Sequence, residues 1–195
     1  MSISFEILIL PLACYLVGSI PFGLLFSLSI AKIDPRLIGS KNIGATNITR
    51  INGWKIGLLT LVCDILKGYI PVLIFKTESV MIDIIILCIF LGHLFPIWIK
   101  FKGGKGIAVI IGCLLAYETS YGLLFLAIWL LSALVTKYSS LSALIASLGS
   151  LLFIYFDNNH FFGVMIIIVF FIFIKHSSNI KRLINGTETK IILKK

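Results

Sequence analysis

Long apolar runs separated by short polar segments dominate the hydrophobic pattern of this chain. A transmembrane helix needs roughly 20 mostly apolar residues. Seven runs approach or reach that length, with approximate bounds of 5–30, 54–75, 80–99, 106–118, 119–136, 138–156 and 158–175. The pattern therefore predicts an all-α, polytopic helix bundle with seven transmembrane helices, formed by a single membrane domain over residues 1–195.

The fourth run is the shortest of the seven. As a helix, Gly106–Tyr117 rises only about 18 Å, well under the hydrocarbon thickness of about 30 Å. It could borrow residues at either end, tilt a neighbouring helix, or fuse with the fifth run into one helix. Fusion would leave six spans and move the C-terminus to the other side of the membrane.

The distribution of basic residues decides between seven spans and six. With seven spans and the N-terminus outside, all but two of the 17 Lys and Arg residues lie on the cytoplasmic side; the exceptions are Lys67 and Lys76. Four acidic residues then lie outside: Glu6, Glu78, Glu118 and Asp157. The positive-inside rule therefore favours seven spans and a cytoplasmic C-terminus.

Composition agrees with a membrane protein. The chain is 59% hydrophobic and 13% charged, against about 45–50% and 25% for soluble domains. A net charge of +9 would suggest nucleic acid in a soluble protein, but here the cations lie in loops between spans, so no nucleic-acid partner is expected. The four cysteines are scattered within apolar runs and are interpreted as buried hydrophobes.

The first candidate site is the polar segment from Asp34 to Arg50, which is rich in Gly, Asn and Thr. Glycines allow close backbone approach, and Asn and Thr offer neutral hydrogen bonds. Arg50 can bind phosphate oxygens bidentately. The alternative is a glycine-bearing loop whose cations only follow the positive-inside rule.

The second candidate site is Lys100 to Gly106, which contains three lysines and three glycines and opens into an apolar run. Successive glycine amides at a helix N-terminus, with lysines alongside, favour phosphate binding. The Walker A pattern G-x-x-x-x-G-K-[ST] does not occur in the chain. The alternative is a basic interfacial loop that binds anionic lipid headgroups.

The third candidate site follows the last run. His176 and Asn179 are three residues apart, and Ser178 and Arg182 are four apart, so each pair shares a helix face. A lone histidine at a membrane interface is usually an amphipathic anchor. A histidine with Asn and Arg beside it is a better candidate for a site.

Two ionisable features inside the apolar runs are candidates for a role. Asp64 and Lys67, at i and i+3, can pair within one helix, and His93 lies near the end of the third run. An intramembrane ionisable residue is a functional hypothesis by default. Because the pair can satisfy itself, we expect a structural or supporting role for these residues.

These segments together resemble the bacterial acyl-phosphate:glycerol-3-phosphate acyltransferase family (PlsY). The matching stretches cover nearly the whole chain in the expected order: 18–23, 39–50, 64–68, 92–96, 102–108, 176–183 and 186–188. Some positions depart from the family pattern. Lys41 stands where Gly is common, Pro35 where an aliphatic residue is common, and Val109 where Thr is frequent.

The resemblance implies a multi-pass enzyme of the bacterial inner membrane whose active site faces the cytoplasm. Its reaction would transfer a fatty acyl group from acyl phosphate to the 1-hydroxyl of sn-glycerol 3-phosphate. The products would be lysophosphatidic acid and phosphate, for phospholipid biosynthesis. The expected partners are these two substrates and membrane lipids; neither metal nor cofactor is expected, and the protein is expected to be monomeric.

The resemblance also implies site residues. The catalytic set is Ser40, Arg50, Lys105, His176 and Asn179. The substrate-binding set is Asn42, Gly44, Thr46, Asn47, Lys102, Gly103, Gly104, Gly106, Ser140, Ser142 and Arg182. Arg50 and Lys105 would bind phosphate, Ser40 and Asn179 would orient substrate, and either His176 or the acyl phosphate itself would accept the proton.

Other classes fit less well. None of the three histidines is followed by Asp at the fifth position, which excludes the H-x-x-x-x-D glycerolipid acyltransferases. A transporter would carry its ionisable residues near the midplane and often shows internal repeats. Here the polar motifs cluster on one side of the membrane. The same cluster argues against a purely structural role in lipid synthesis.

Overall fold

The computed structural model describes residues 5–76 and 81–191, with side chains from residue 9 onward. All regular secondary structure within these ranges is helical, as the pattern predicts. Glu78, Lys194 and Lys195, which the topology prediction used, lie outside the described residues, as does the side chain of Glu6. The chain divides into two compact units, Met1–Tyr117 and Glu118–Lys195, and a single membrane domain stays a prediction.

The first unit is built around packed apolar helices. Its elements, in chain order, are α1 (Phe5–Gly18), α2 (Phe22–Phe26), a π-helical segment (Ser27–Ala31), α3 (Ala45–Asn52), α4 (Trp54–Phe75), α5 (Ile82–Leu94), a 3-10 turn (Ile97–Ile99) and α6 (Ile107–Tyr117). The first run, expected as one helix over 5–30, is interrupted before Phe22. Pro21 has no N–H to continue the helical ladder, and its φ of −90° and ψ of 70° lie outside the helical region.

Glycines allow the helices of the first unit to approach closely. α4 packs mainly on α6, and α1 packs on α5. A Cβ on Gly112 would lie 2.0 Å from the carbonyl oxygen of Ile65, and one on Gly68 would lie 2.3 Å from that of Val109. Small residues at such contacts are typical of membrane helices, whose association depends on close backbone packing.

We expect Gly112→Ala to destabilise the first unit, because its methyl group would collide with backbone atoms of α4 that cannot rotate away. Overpacking of this kind costs about 1–3 kcal/mol, so the thermal unfolding midpoint in detergent should fall by several degrees. The matched control is Gly163→Ala in the second unit, where an added Cβ meets no atom within 4 Å. Equal midpoints for the two variants would contradict the packing argument.

The described part of the second unit contains four helices: α7 (Thr119–Thr136), α8 (Ser139–Phe156), α9 (Phe162–Lys175) and α10 (Ser177–Ile184). α7 packs on α8, and α8 packs on α9. The tail returns toward the start of α8, where the amide of Ile191 donates to the carbonyl of Lys137 at 2.7 Å. α9 and α10 meet at an angle of 58°, which places His176 at a corner of the chain.

The fourth run forms a helix of its own. α6 ends at Tyr117, Glu118 is extended with φ of −145° and ψ of 113°, and α7 begins at Thr119. The Glu118 carboxylate caps α7 by accepting from the amide of Ser120 at 3.5 Å. The fused helix that would have given six spans is therefore not what the chain forms.

Five helical stretches of the described chain are long and apolar enough to cross a membrane: Ile9–Ala31, Trp54–Phe75, Ile82–Ile99, Thr119–Thr136 and Ser139–Phe156. A sixth is the bent pair of Phe162–Lys175 and Ser177–Ile184. The 11 residues of α6 rise about 16 Å, about half of the hydrocarbon thickness. The multi-pass class is thus supported, whereas seven spans and the orientation of the termini stay predictions.

Candidate active site

The polar loop before α3 is organised by one buried amide side chain. Asn47 is only 2% exposed. Its Oδ1 accepts from the amide of Ser40 at 2.9 Å, and its Nδ2 donates to the carbonyls of Asn42 at 2.8 Å and of Pro35 at 3.1 Å. Asn47 therefore holds the loop backbone together, and in this structure its hydrogen-bonding groups point into the loop.

Two further features shape the same loop. The Oδ1 of Asn42 accepts from the amide of Gly44 at 2.8 Å, one residue before α3 begins. Lys41 has a φ of +57°, a left-handed conformation that costs glycine much less than lysine. The glycine that is common at this position in the family pattern is thereby explained, and Lys41 adopts the same turn with some strain.

Arg50 extends from the last turn of α3, with Thr46 one turn earlier on the same face. Both side chains are exposed, whereas Ser40 is partly buried. The structure therefore keeps an exposed guanidinium on α3 and holds Ser40 in a loop that Asn47 fixes. Phosphate binding by Arg50, Thr46, Asn42 and Gly44 stays a prediction.

The glycine-lysine loop is docked on the C-terminal end of α5. The amide of Gly103 donates to the carbonyl of Leu94 at 3.2 Å, and that of Gly104 donates to the carbonyl of His93 at 3.1 Å. A Cβ on Gly103 would lie 2.1 Å from the carbonyl oxygen of His93. These two amides thus hold the loop on α5 by hydrogen bonds, and the absence of side chains on the glycines permits the close approach.

The predicted phosphate-binding lysine of this loop, Lys105, follows the two glycines. Gly106 has a φ of +83° and turns the chain into α6, which begins at Ile107. The first amides of a helix have no partner within it, and together with the helix dipole they favour an anion. Lys105 lies two residues before the first residue of α6, and Lys102 is exposed.

In the second unit, His176 lies buried at the corner between α9 and α10, with 2% exposure. Its Nδ1 is 2.8 Å from the carbonyl oxygen of Ile172. A carbonyl can only accept, so Nδ1 carries the proton, and Nε2 of the neutral ring carries the lone pair. The helix corner therefore presets the tautomer that a general base or a hydroxyl acceptor would need.

Glu188 connects three of the predicted site residues. Its Oε1 accepts from the Oγ of Ser140 at 2.8 Å and from the Nδ2 of Asn179 at 2.6 Å, and its Oε2 accepts from the Nε of Arg182 at 2.6 Å. Arg182 and Glu188 also form an ion pair. Ser140, Asn179 and Arg182 are thus brought together by a carboxylate from the tail.

The pKa of Glu188 lies below its ordinary value of 4.5. Burial alone would raise it, but the hydrogen bonds from Asn179, Ser140 and Arg182 favour the ionised form and outweigh burial. Glu188 is therefore ionised at neutral pH. Sequence reasoning missed this residue as part of the site, although its stretch, 186–188, belongs to the resemblance; its distance of 48 residues from Ser140 hides the contact.

Ser142 was predicted to bind substrate, but its hydroxyl donates a hydrogen bond to the residue that directly precedes α8. It is fully buried and donates to the carbonyl of Tyr138 at 2.8 Å. Ser140, two residues earlier, instead turns toward Glu188. Direct contact of either serine with a substrate stays a prediction.

The predicted residues thus form two groups, each within its own unit. The first holds the loop around Asn47, Arg50 on α3, and Lys105 before α6. The second holds His176 and the residues around Glu188.

Comparison with known proteins identifies the family. A family model for glycerol-3-phosphate acyltransferase matches residues 8–186. The glycerol-3-phosphate acyltransferase of Bartonella quintana is 47% identical over 189 residues, which cover 92% of this chain and 89% of that protein. The protein of the same name from Pelagibacter ubique is 46% identical and covers 95% of this chain and 97% of its own.

Solved structures agree in fold. A crystal structure of PlsY (YgiH), an integral membrane glycerol 3-phosphate acyltransferase, in its glycerol 3-phosphate form has a TM-score of 0.92 and 35% identity, with 96% of each chain covered. Its lysophosphatidic acid form has a TM-score of 0.88 over the same share. The resemblance drawn from the motifs is confirmed over nearly the whole chain. The protein belongs to the glycerol-3-phosphate acyltransferase (PlsY) family.

Proposed function

We propose that this protein transfers a fatty acyl group from acyl phosphate to the 1-hydroxyl of sn-glycerol 3-phosphate. The products are lysophosphatidic acid and inorganic phosphate, which enter phospholipid biosynthesis. The observation that carries the proposal is the likeness, over 96% of the chain, to a PlsY structure in its glycerol 3-phosphate form. The lysophosphatidic acid form of the same protein supports the product.

The cations of the first unit fit substrates that bear phosphate. Arg50 offers a planar guanidinium that binds phosphate oxygens bidentately. Lys105 adds a point charge next to the positive end of α6. When the hydroxyl oxygen attacks the acyl carbon, the bond from that carbon to the phosphate oxygen breaks and negative charge gathers on the leaving phosphate. Arg50 and Lys105 would stabilise that charge.

The proton of the attacking hydroxyl has two possible acceptors. One is Nε2 of His176, whose lone pair is oriented by the contact of Nδ1 with the Ile172 carbonyl. The other is the phosphate of the acyl donor. In either route Ser40 and Asn179 orient the substrates by hydrogen bonds, and the leaving phosphate needs neither a metal nor a covalent acyl-enzyme.

The first unit also offers room for an acyl chain. A groove of about 450 Å³ runs along α1 and α4, and its lining is apolar except for Lys67. A fatty acyl chain has the matching chemistry, because its methylene groups can pack against an apolar lining. We propose that the substrate chain lies along this face.

The proposal includes the finer topology. The protein spans a bacterial inner membrane seven times, as a monomer, with the N-terminus outside and the site facing the cytoplasm. The charge distribution along the sequence supports this orientation. Glycerol 3-phosphate is a water-soluble anion, so a cytoplasmic site would meet it directly.

An activity assay tests the proposal. We expect purified protein given acyl phosphate and glycerol 3-phosphate to release phosphate and form lysophosphatidic acid in equal amounts, with acyl-CoA and acyl carrier protein thioesters as the donor controls. Failure of all three donors with well-folded protein, in detergent and in lipid, would refute the enzyme function. Turnover with a thioester alone would refute the acyl phosphate donor.

A further inference from the structure

A buried ion pair lies on α4 in the first unit. The Nζ of Lys67 lies 2.8 Å from the Oδ1 of Asp64, and both side chains are 3% exposed. Lys67 also donates to the carbonyl of Ile20 at 2.7 Å, at the break between α1 and α2. Burying two charges at membrane depth is costly even when they are paired, so the pair calls for an explanation beyond stability.

His93 extends this pair toward the glycine-lysine loop. Its Nδ1 lies 3.8 Å from the Oδ1 of Asp64, and its side chain is 6% exposed. The opposite edge of the ring lies against the loop, since a Cβ on Gly104 would lie 2.1 Å from Nε2. The backbone of His93 holds the same glycine, whose amide donates to its carbonyl at 3.1 Å.

The contacts therefore run from α4 through α5 to the loop that carries Lys105. If the ion pair were purely structural, it would need only the hydrogen bond that Lys67 donates to the Ile20 carbonyl. It would not need an imidazole with one nitrogen facing the carboxylate and the other facing Gly104. Since Lys105 follows Gly104 directly, a tilt of the ring would displace the backbone that presents the lysine and the start of α6.

We propose that Asp64 and His93 are positioning residues for phosphate binding by the loop. The carboxylate acts on the nitrogen that faces it by electrostatics across 3.8 Å, which is longer than a hydrogen bond. The imidazole supports Gly104, and Gly104 sets the position of Lys105 and of the first amides of α6. Lys67 neutralises the carboxylate. The inference rests on the proposed function insofar as the bound phosphate is that of glycerol 3-phosphate.

The test measures glycerol 3-phosphate binding by titration calorimetry on purified protein, without acyl donor, and in parallel KM, kcat and the thermal unfolding midpoint. The first variant is the double replacement Asp64→Leu with Lys67→Met, since apolar replacement of a buried pair usually preserves stability. The Ile20 carbonyl keeps its bond from the amide of Phe22. The second variant is His93→Gln, which keeps an amide at the Gly104 side but does not face Asp64.

We expect the double variant to bind glycerol 3-phosphate at least about tenfold more weakly, because small displacements of positioning groups have effects of this size. KM should rise by a similar factor, while kcat and the unfolding midpoint change little. His93→Gln should show an intermediate loss. The matched control is Thr60→Val, one turn from Asp64 on α4, whose hydroxyl bonds only the Ile56 carbonyl of its own helix among the contacts described.

Wild-type affinity in His93→Gln or in a folded double variant would overturn the inference. So would a loss confined to the unfolding midpoint, which is what a purely structural pair predicts. Binding and turnover separate the two proposals. If the wild-type protein binds glycerol 3-phosphate but none of the acyl donors leads to its acylation, the proposed function is refuted. The binding comparison would still decide the positioning role.

Discussion

Replacing Arg50 or Lys105 with alanine should reduce turnover by at least about 100-fold, the loss that follows removal of one group stabilising developing charge. The protein should still fold. Arg50 is exposed on α3 and Lys105 is only partly buried, so neither replacement opens a cavity. Phosphate release under saturating substrates measures the effect, and the unfolding midpoint confirms the fold.

Two further variants separate specific binding from general positive charge. Arg50→Lys keeps the charge but loses the bidentate geometry, so it should recover only part of the activity. Lys55→Ala removes an exposed cation from the first turn of α4 and should leave the rate near that of the wild type. Near-normal rates in both Arg50→Ala and Lys105→Ala would refute the phosphate-binding assignments.

Replacing Glu188 with alanine should reduce both activity and stability. Its carboxylate accepts hydrogen bonds from Ser140, Asn179 and Arg182. Loss of hydrogen bonds to a charged acceptor costs about 1.5–3 kcal/mol; the partly exposed Arg182 contributes little of this, because water replaces the contact. Turnover should fall by about 100-fold, because Asn179 and Arg182 lose the partner that orients them.

The conservative variant Glu188→Gln keeps the shape and removes the charge, and it should fall between wild type and Glu188→Ala in both measurements. Glu118→Gln, the same change at the exposed residue before α7, is the matched control and should retain activity. If Glu188→Ala retains the wild-type rate and midpoint, the tail carboxylate has no role in organising the second unit.

The lowered pKa of Glu188 gives a test by pH. A carboxyl group that is more acidic when folded adds stability above its unfolded pKa, and this stability is lost as the pH falls through the folded pKa. The difference in midpoint between wild type and Glu188→Gln should therefore be constant at neutral pH. It should shrink as the pH falls below the ordinary value of 4.5. A difference that does not change with pH would contradict ionisation of Glu188 as its cause.

The sequence by itself determined the class of the protein and its family. Lipid requires long apolar helices with internally satisfied backbones, so run length alone predicted most helices, and α4 begins and ends at the predicted residues 54 and 75. The motifs could be recognised from the sequence because each is a short, continuous segment. Hydropathy also showed that the fourth run is short, and the extended Glu118 confirms that it is separate from the fifth.

Only the tertiary structure decided what the polar groups of those motifs do. Asn47 was predicted to bind substrate, yet its amide organises a loop, and the amides of Gly103 and Gly104 are bonded to α5. Glu188 and His93 gained their roles from contacts across distant parts of the chain. Hydrophobic periodicity records which face of a helix is apolar. It does not record which donor meets which acceptor, because that pairing depends on the packed arrangement of helices far apart in sequence.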